Sequence, residues 1–217
     1  MLDCENSQKT SVFTKDQVPF DSGLFCDDFI FAVKDLSEVS QLEVKKISNT
    51  YANNFVLNHH YLKRKLYIAR NVSYGIFFNG YCIGVCMFGF PVWNKYPGLV
   101  PPMKSAEVPE LLRLCTLSCS PKNGESYFIA KCLKMLKQDW FDEVGVYPKA
   151  VTSLCDLAFG FNGSIYKATN FELLKITEGR ATNPGGTHGK WKKNTDTQKA
   201  EKAMYVKFLC KKAKFDL

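Results

Sequence analysis

Residues 74–90, YGIFFNGYCIGVCMFGF, restrict the fold more than any other part of the chain. Two apolar runs flank Asn79-Gly80, a pair that supplies the positive φ angles of a type I′ turn. Such a turn joins antiparallel strands, so a sheet must form around this hairpin.

The neighbouring segments say what covers that sheet. Upstream, DDFIFAV is the first strand candidate. Asp35 followed by Glu38 has the spacing of a capping box. Val44, Ile47, Tyr51 and Phe55 then recur at helical spacing, which predicts a helix running towards NHHYLKRK. Downstream, PVWNKYPGLVPPMKSAEVP is too long and irregular for a simple connector, and loops of that size tend to be binding segments. ELLRLCTLSC reads as a strand. SPKNGESYFIAKCLKMLKQDWF opens with turn residues and continues with Phe128, Cys132, Leu136 and Trp140 at helical spacing. The strand AVTSLCDLAF and the short helix GSIYKATNF follow. ELLKITEG and AMYVKFLC are strands on either side of the glycine-rich basic loop RATNPGGTHGKWKKN. Strands and helices in this order predict one α/β sheet with helices on its faces. A loosely ordered arm, 1–23, precedes a single domain, 24–217.

With 217 residues and 46% apolar content, the chain can bury a full core without staples. Nine cysteines occur without a CxxC pair, which reads as buried thiols in a reducing cytoplasm rather than disulfides or a metal knot. Cys82 and Cys86, like Cys115 and Cys119, are four apart in strand-like runs, so each pair is expected on one strand face. MLDCENSQKT lacks the features of a signal peptide, and the longest apolar stretch is too short to span a bilayer, so no membrane partner is expected. The net charge of +8 is uneven: from Thr187 to Leu217 nine lysines face three acids. A cationic end of this kind attracts phosphates, nucleic acid or anionic lipid, although a solvated face would look the same.

Several residues have the chemistry of a site. Asp156 ends a strand, where ligand crevices open in α/β sheets. Tyr166 lies on the first turn of the next helix, from which a phenol can reach the same crevice. A carboxylate there can take a proton and a phenol can give one; a loop cap and a satisfied core phenol would show the same spacing. His60 and Tyr61 reach a common site only if the helix before them has ended, since adjacent helical residues point about 100° apart. Arg113, between Leu112 and Leu114, can bind a carboxylate or phosphate through paired hydrogen bonds, or a structural acid. Asn123, Gly124 and Ser126 in PKNGES open a helix whose N–H groups attract an anion. Lys63, Arg64 and Lys65, with Lys190, Trp191, Lys192 and Lys193, combine cations for phosphates with an indole for an exposed base.

The order of elements resembles the GNAT acetyltransferase fold. GSIYKATNF is similar to the segment of that superfamily in which a tyrosine protonates the leaving thiolate of coenzyme A, and Tyr166 stands at that position. His60-Tyr61, Arg113 in PELLRL, Asp156 and Tyr166 together resemble the Mom family of phage DNA-modifying proteins, from about His60 onward. That resemblance implies a GNAT-like domain with a central mixed sheet and helices on both faces. It further implies conversion of adenine in double-stranded DNA to an N6-carbamoylmethyl-type derivative, which protects phage DNA from restriction in the bacterial host cytoplasm. His60, Tyr61, Arg113, Asp156 and Tyr166 would be catalytic. It also implies iron held by His60, Tyr61, Asp156 and Tyr166, and a small-molecule donor of acyl-coenzyme A type. One departure stands out: Pro121 occupies the Gln or Arg position of the acetyltransferase pyrophosphate loop. The rival readings are a conventional N-acetyltransferase acting on another amine and a non-catalytic DNA-binding protein. Oligomeric state is not readable from these residues.

Overall fold

The computed structural model describes residues 33–67, 70–91, 99–100, 103–177, 201–210 and 214–215. The expected arm 1–23, most of the DDFIFAV strand, part of the proline-rich loop and the basic segment holding Lys190, Trp191, Lys192 and Lys193 lie outside them.

Asn79 and Gly80 both take positive φ, 49° and 83°, and close the hairpin of β2 (Asn71–Phe78) and β3 (Tyr81–Gly89). Both strands are almost wholly buried, which explains their unbroken apolar sequence. β1 (Glu43–Ile47), β5 (Glu110–Thr116), β6 (Ala150–Asp156), β7 (Glu172–Thr177) and β8 (Lys202–Phe208) complete a seven-stranded sheet in the order β1-β2-β3-β5-β6-β8-β7. All neighbours are antiparallel except β5 and β6. A separate two-stranded ladder joins β4 (Leu99–Val100) to β9 (Lys214–Phe215).

The first helix begins later than its spacing predicts. Val44 and Ile47 belong to β1, where Val44 pairs with Ile76 across the sheet. Their separation of three suits a helix stripe, but Glu43, Lys45 and Lys46 around them form a charged edge strand instead. The capping box is displaced too, to Glu38 and Gln41 on a single 3₁₀ turn. α1 (Asn49–His59) starts at Ser48, whose hydroxyl accepts from the Tyr51 N–H. α2 (Gly124–Val144) buries Phe128, Cys132, Leu136 and Trp140, as their period of four predicts. Gly145 ends it in the left-handed region, at φ 83°.

The helices cover opposite faces, and the cysteines show why the expected pairing fails. β3 carries a bulge opposite Ile76/Phe77, which makes Ile83 an extra residue and flips the alternation. Cys82 therefore faces α1, within hydrogen-bond reach of Tyr51, while Cys86 faces α2 and meets Cys132. Cys119 lies beyond the end of β5, so it shares no strand face with Cys115. Cys82, Cys86, Cys115, Cys132, Cys155 and Cys210 are free thiols. No helix among the described residues is long and apolar enough to cross a membrane.

Tyr74 ties the sheet to α2. Its ring is fully buried and its hydroxyl donates to Asp139 Oδ2 at 2.7 Å, while Lys46 reaches Oδ1 at 3.2 Å. Tyr74→Phe keeps the packing and removes a bond to a charged acceptor, so unfolding in urea should show a loss of about 2 kcal/mol. An unchanged midpoint would mean that the bond contributes nothing net.

Candidate active site

β5 and β6 pair only at Glu110↔Thr152 and Leu111↔Ser153, and then diverge. The cause is local. A bulge between the β3 partners Met87 and Phe88 makes Leu112 an extra residue in β5, so the ladder toward β6 stops there. A gap opens through the sheet at the carboxyl ends of the two parallel strands, where α/β sheets receive ligands.

Two sets of residues flank this gap. On the face covered by α2 and α3 (Ser164–Ala168), Tyr166 is buried at the closed end of the gap. Its hydroxyl accepts from Ser153 Oγ at 3.0 Å, and the same Oγ lies 3.2 Å from the Leu111 carbonyl. Its ring stacks on Tyr205 at 5.0 Å and meets the edge of Phe171 at 5.7 Å. Burial pushes this phenol's pKa up, so it stays protonated at neutral pH. Beside it, a cleft of ≈450 Å³ lies between the start of α2 and α3, lined by residues that include Ser120, Asn123, Gly124, Ser126 and Ser164. Asn123, Gly124 and Ser126 thus line a cavity. A Cβ at Gly124 would meet Ser120 Oγ, so a larger residue there needs the serine hydroxyl to rotate aside. Among the described residues lining this cleft, Glu125 is the one that carries charge, and its carboxylate is engaged by Thr116 at 3.0 Å.

The other face, under the end of α1, gathers the remaining candidates. α1 stops at His59 and His60 turns to extended backbone, which lets His60 and Tyr61 share one place. Their rings stack at 4.3 Å. Arg113 follows the bulge and alternates onto this face, with Nη1 donating to the Leu112 carbonyl at 2.7 Å. Its buried Nε has no partner among the described residues. Asp156 ends β6, accepts from the Ala158 N–H at 3.2 Å, and stands 3.7 Å from Lys202 Nζ.

Electrostatics link the two sets. Burial, then the Arg113 charge, lowers the His60 pKa to about 4. Burial and then Asp156 raise that of Tyr61, with Arg113 opposing. Burial lowers the Arg113 pKa, and Arg64 lowers it further. Burial raises the Tyr166 pKa most, and Tyr61 adds the smallest rise, after Cys155 and Cys86.

One expectation needs correcting. Asp156 and Tyr166 do not project into a single cleft from one side. Ser153 pairs with Tyr205 and Asp156 with Lys202, three residues apart on β6, so alternation sends Asp156 to the α1 face and leaves Tyr166 on the other. Their ten-residue separation carries no information about the side of the sheet.

The iron set is not assembled either. A ligating imidazole donates through its other nitrogen, whereas His60 Nδ1 accepts from the Leu62 N–H at 3.1 Å. The proton is then on Nε2, which has no lone pair to offer. The Tyr166 hydroxyl is engaged behind the sheet, and Arg113 and Lys202 bring positive charge beside the remaining donors. No three histidine, cysteine or acidic residues converge among the described residues.

The basic residues Lys63 and Arg64 are exposed and Lys65 is half-buried at the rim. Sequence reasoning missed Ser153, Tyr205 and Lys202, which look like ordinary strand residues. It also missed Phe159 and Phe161, whose signal is large aromatics set among glycines in a turn.

A mixed sheet parted between two parallel strands, with a helix-start cleft on one face and ionisable groups on the other, defines a GNAT-type fold. Solved structures agree. A GNAT family acetyltransferase from Elizabethkingia anophelis with acetyl-CoA bound is 11% identical, with a TM-score of 0.51 over 78% of this chain and 99% of that one. An acetyltransferase from Bacillus subtilis in complex with CoA is likewise 11% identical, with a TM-score of 0.52 over 78% and 99%. At such identities the likeness is one of fold. The particular family follows from the sequence: the Mom protein family model matches residues 41–215, and the chain belongs to that family. No curated protein sequence gives a significant match.

Acid should loosen the site in a defined window. His60 has its folded pKa depressed to about 4, against about 6.5 for an exposed histidine. The unfolded chain then binds more protons between those values, so this stability is complete above pH 6.5 and lost as pH falls towards 4. Protonating Nδ1 also sets it against the Leu62 N–H. His60→Asn should flatten the pH dependence of the melting temperature in that window. An unchanged slope would assign it to other groups.

Proposed function

We infer that this protein is a transferase that modifies adenine in DNA, placing a carbamoylmethyl-type group on N6 and so protecting phage DNA from restriction. Family membership supports the substrate class. The gap between β5 and β6 is the observation that carries the chemistry, because a donor and an acceptor can meet there from opposite faces.

Adenine N6 is a poor nucleophile, since its lone pair is delocalised into the ring. In the proposed reaction its bond to the transferred carbon forms as the donor's bond to its leaving group breaks. Asp156 takes the N6 proton and Tyr166 gives a proton to the leaving group. Arg113 and the His60 Nε2–H orient the transferred group through hydrogen bonds, and Tyr61 packs over His60. Lys63, Arg64, Lys65 and the segment with Lys190, Trp191, Lys192 and Lys193 hold the duplex backbone. N6 is stacked and paired in a duplex, so the target base must turn out of the helix. No step passes through iron, because His60 and Tyr166 do not present the donors it would need.

The donor occupies the cleft at Asn123, Gly124 and Ser126. An acyl-coenzyme A type donor would place its carbonyl carbon on N6. A carbamoylmethyl product calls instead for a donor whose methylene carbon carries the leaving group, with its phosphates at the start of α2, where helix N–H groups attract anions. Pro121 and the lack of a lining cation among the described residues weigh against the conventional pyrophosphate grip, and so against the N-acetyltransferase rival. Mass spectrometry of nucleosides from plasmid DNA of expressing cells is the test. An adenosine derivative of increased mass is expected, and unmodified adenine throughout would overturn the reading.

A further inference from the structure

Three aromatic side chains at the rim of the site are more exposed than their size warrants: Tyr61 at 43%, Phe159 at 55% and Phe161 at 49%. They form one cluster, with Tyr61 lying 4.4 Å from Phe159 and 5.7 Å from Phe161, and the two phenylalanines 6.4 Å apart. The turn that carries Phe159 is held in place, since Asp156 Oδ1 accepts from the Ala158 N–H and the Gly160 N–H bonds back to Leu157. Rigid rings in water, next to a carboxylate, expose apolar faces that an isolated domain would gain by burying.

Charge around the cluster selects its occupant. Lys63 and Arg64 are exposed on the segment just after Tyr61, and Arg64 is near enough to Arg113 to lower its pKa. A flat apolar surface bordered by cations matches a flat π-system carried on a polyanion, and base–aromatic stacking has that character.

We propose that Tyr61, Phe159 and Phe161 form a stacking platform for a nucleobase displaced from its duplex, and that Lys63, Arg64 and Lys65 hold the flanking phosphates. This rests on the DNA reading above and adds to it the residues that receive the base. Unstacking a base is costly, and a platform beside the exit offsets that cost where the base must pause to react. Phe159 and Phe161 are positioning residues, because they hold the base without touching the atoms that react.

The full-length protein tests this with two short duplexes, one fully paired and one with a single adenine left unpaired opposite an abasic site. Fluorescence anisotropy should show the unpaired form bound about tenfold tighter or more, the scale of one stacked base. The double variant Phe159→Ala/Phe161→Ala should lose that preference while its affinity keeps the same dependence on salt, which the cations set. Phe159→Trp/Phe161→Trp should retain the preference, which rules out a folding defect as the cause. A wild-type protein without the preference, or an alanine variant that keeps it, would overturn the platform. If adenine is still modified in cells in that case, the platform alone fails. A protein that binds neither duplex, and modifies nothing, removes the DNA reading as well.

Discussion

Asp156→Asn should lower adenine modification by roughly a hundred- to ten-thousand-fold, the range over which a positioned base contributes. The substitution is nearly isosteric, and the amide oxygen can still accept from the Ala158 N–H, so the turn after β6 should hold. What disappears is the negative charge that is proposed to take the proton and that faces Lys202 at 3.7 Å. That pair is partly open to solvent on the lysine side and contributes little to stability by itself. Nucleoside mass spectrometry should therefore register the loss while the melting temperature stays within a few degrees of wild type. Full modification by this variant would remove Asp156 from the chemistry.

Tyr166→Phe should produce a comparable fall for a different reason. The phenol is buried at the closed end of the gap, and burial keeps it protonated, which suits an acid and not a base. Removing the hydroxyl leaves the ring stacked on Tyr205 and edge-on to Phe171. Ser153 loses one partner but still has the Leu111 carbonyl within 3.2 Å, so no buried donor is orphaned. Stability should change little, by about 1 kcal/mol. The loss should sit in the rate rather than in the affinity for DNA, roughly a hundredfold or more if protonation of the leaving group limits turnover. An unimpaired rate would assign the proton to another donor, and full activity in both variants would leave the gap without a catalytic role.

Local signals in the sequence were read correctly wherever one short segment settles its own structure. Asn79-Gly80 defines the hairpin through its backbone angles, and Phe128, Cys132, Leu136 and Trp140 repeat at an interval that suits a helix burying one side. Val44 and Ile47 were misread because a separation of three fits a helical stripe, and the ladder that makes them strand residues is supplied by β2. The bulges at Ile83 and Leu112 exist only relative to partner strands, so no pattern in β3 or β5 alone announces them. Each has a large effect: one sends Cys82 and Cys86 to opposite helices, and the other parts β5 from β6 at Arg113. His60, Tyr61, Arg113 and Asp156 were picked out together through family resemblance, and they do gather on one face. The face of Arg113 depends on the bulge in β5 and that of Asp156 on alternation along β6 from Ser153, neither of which is visible in the ten-residue spacing that suggests Tyr166 beside Asp156.

The parting of β5 and β6 makes the sheet a wall with a window in it. On the proposed reading, what is delivered arrives through the outer frame at the start of α2, and what is altered leans in from the room behind, past the end of α1. On the proposed roles, drift around the start of α2 can change the cargo without disturbing the target, whereas His60 and Arg113 tie the two specificities together on the other side. They meet across the width of a single sheet.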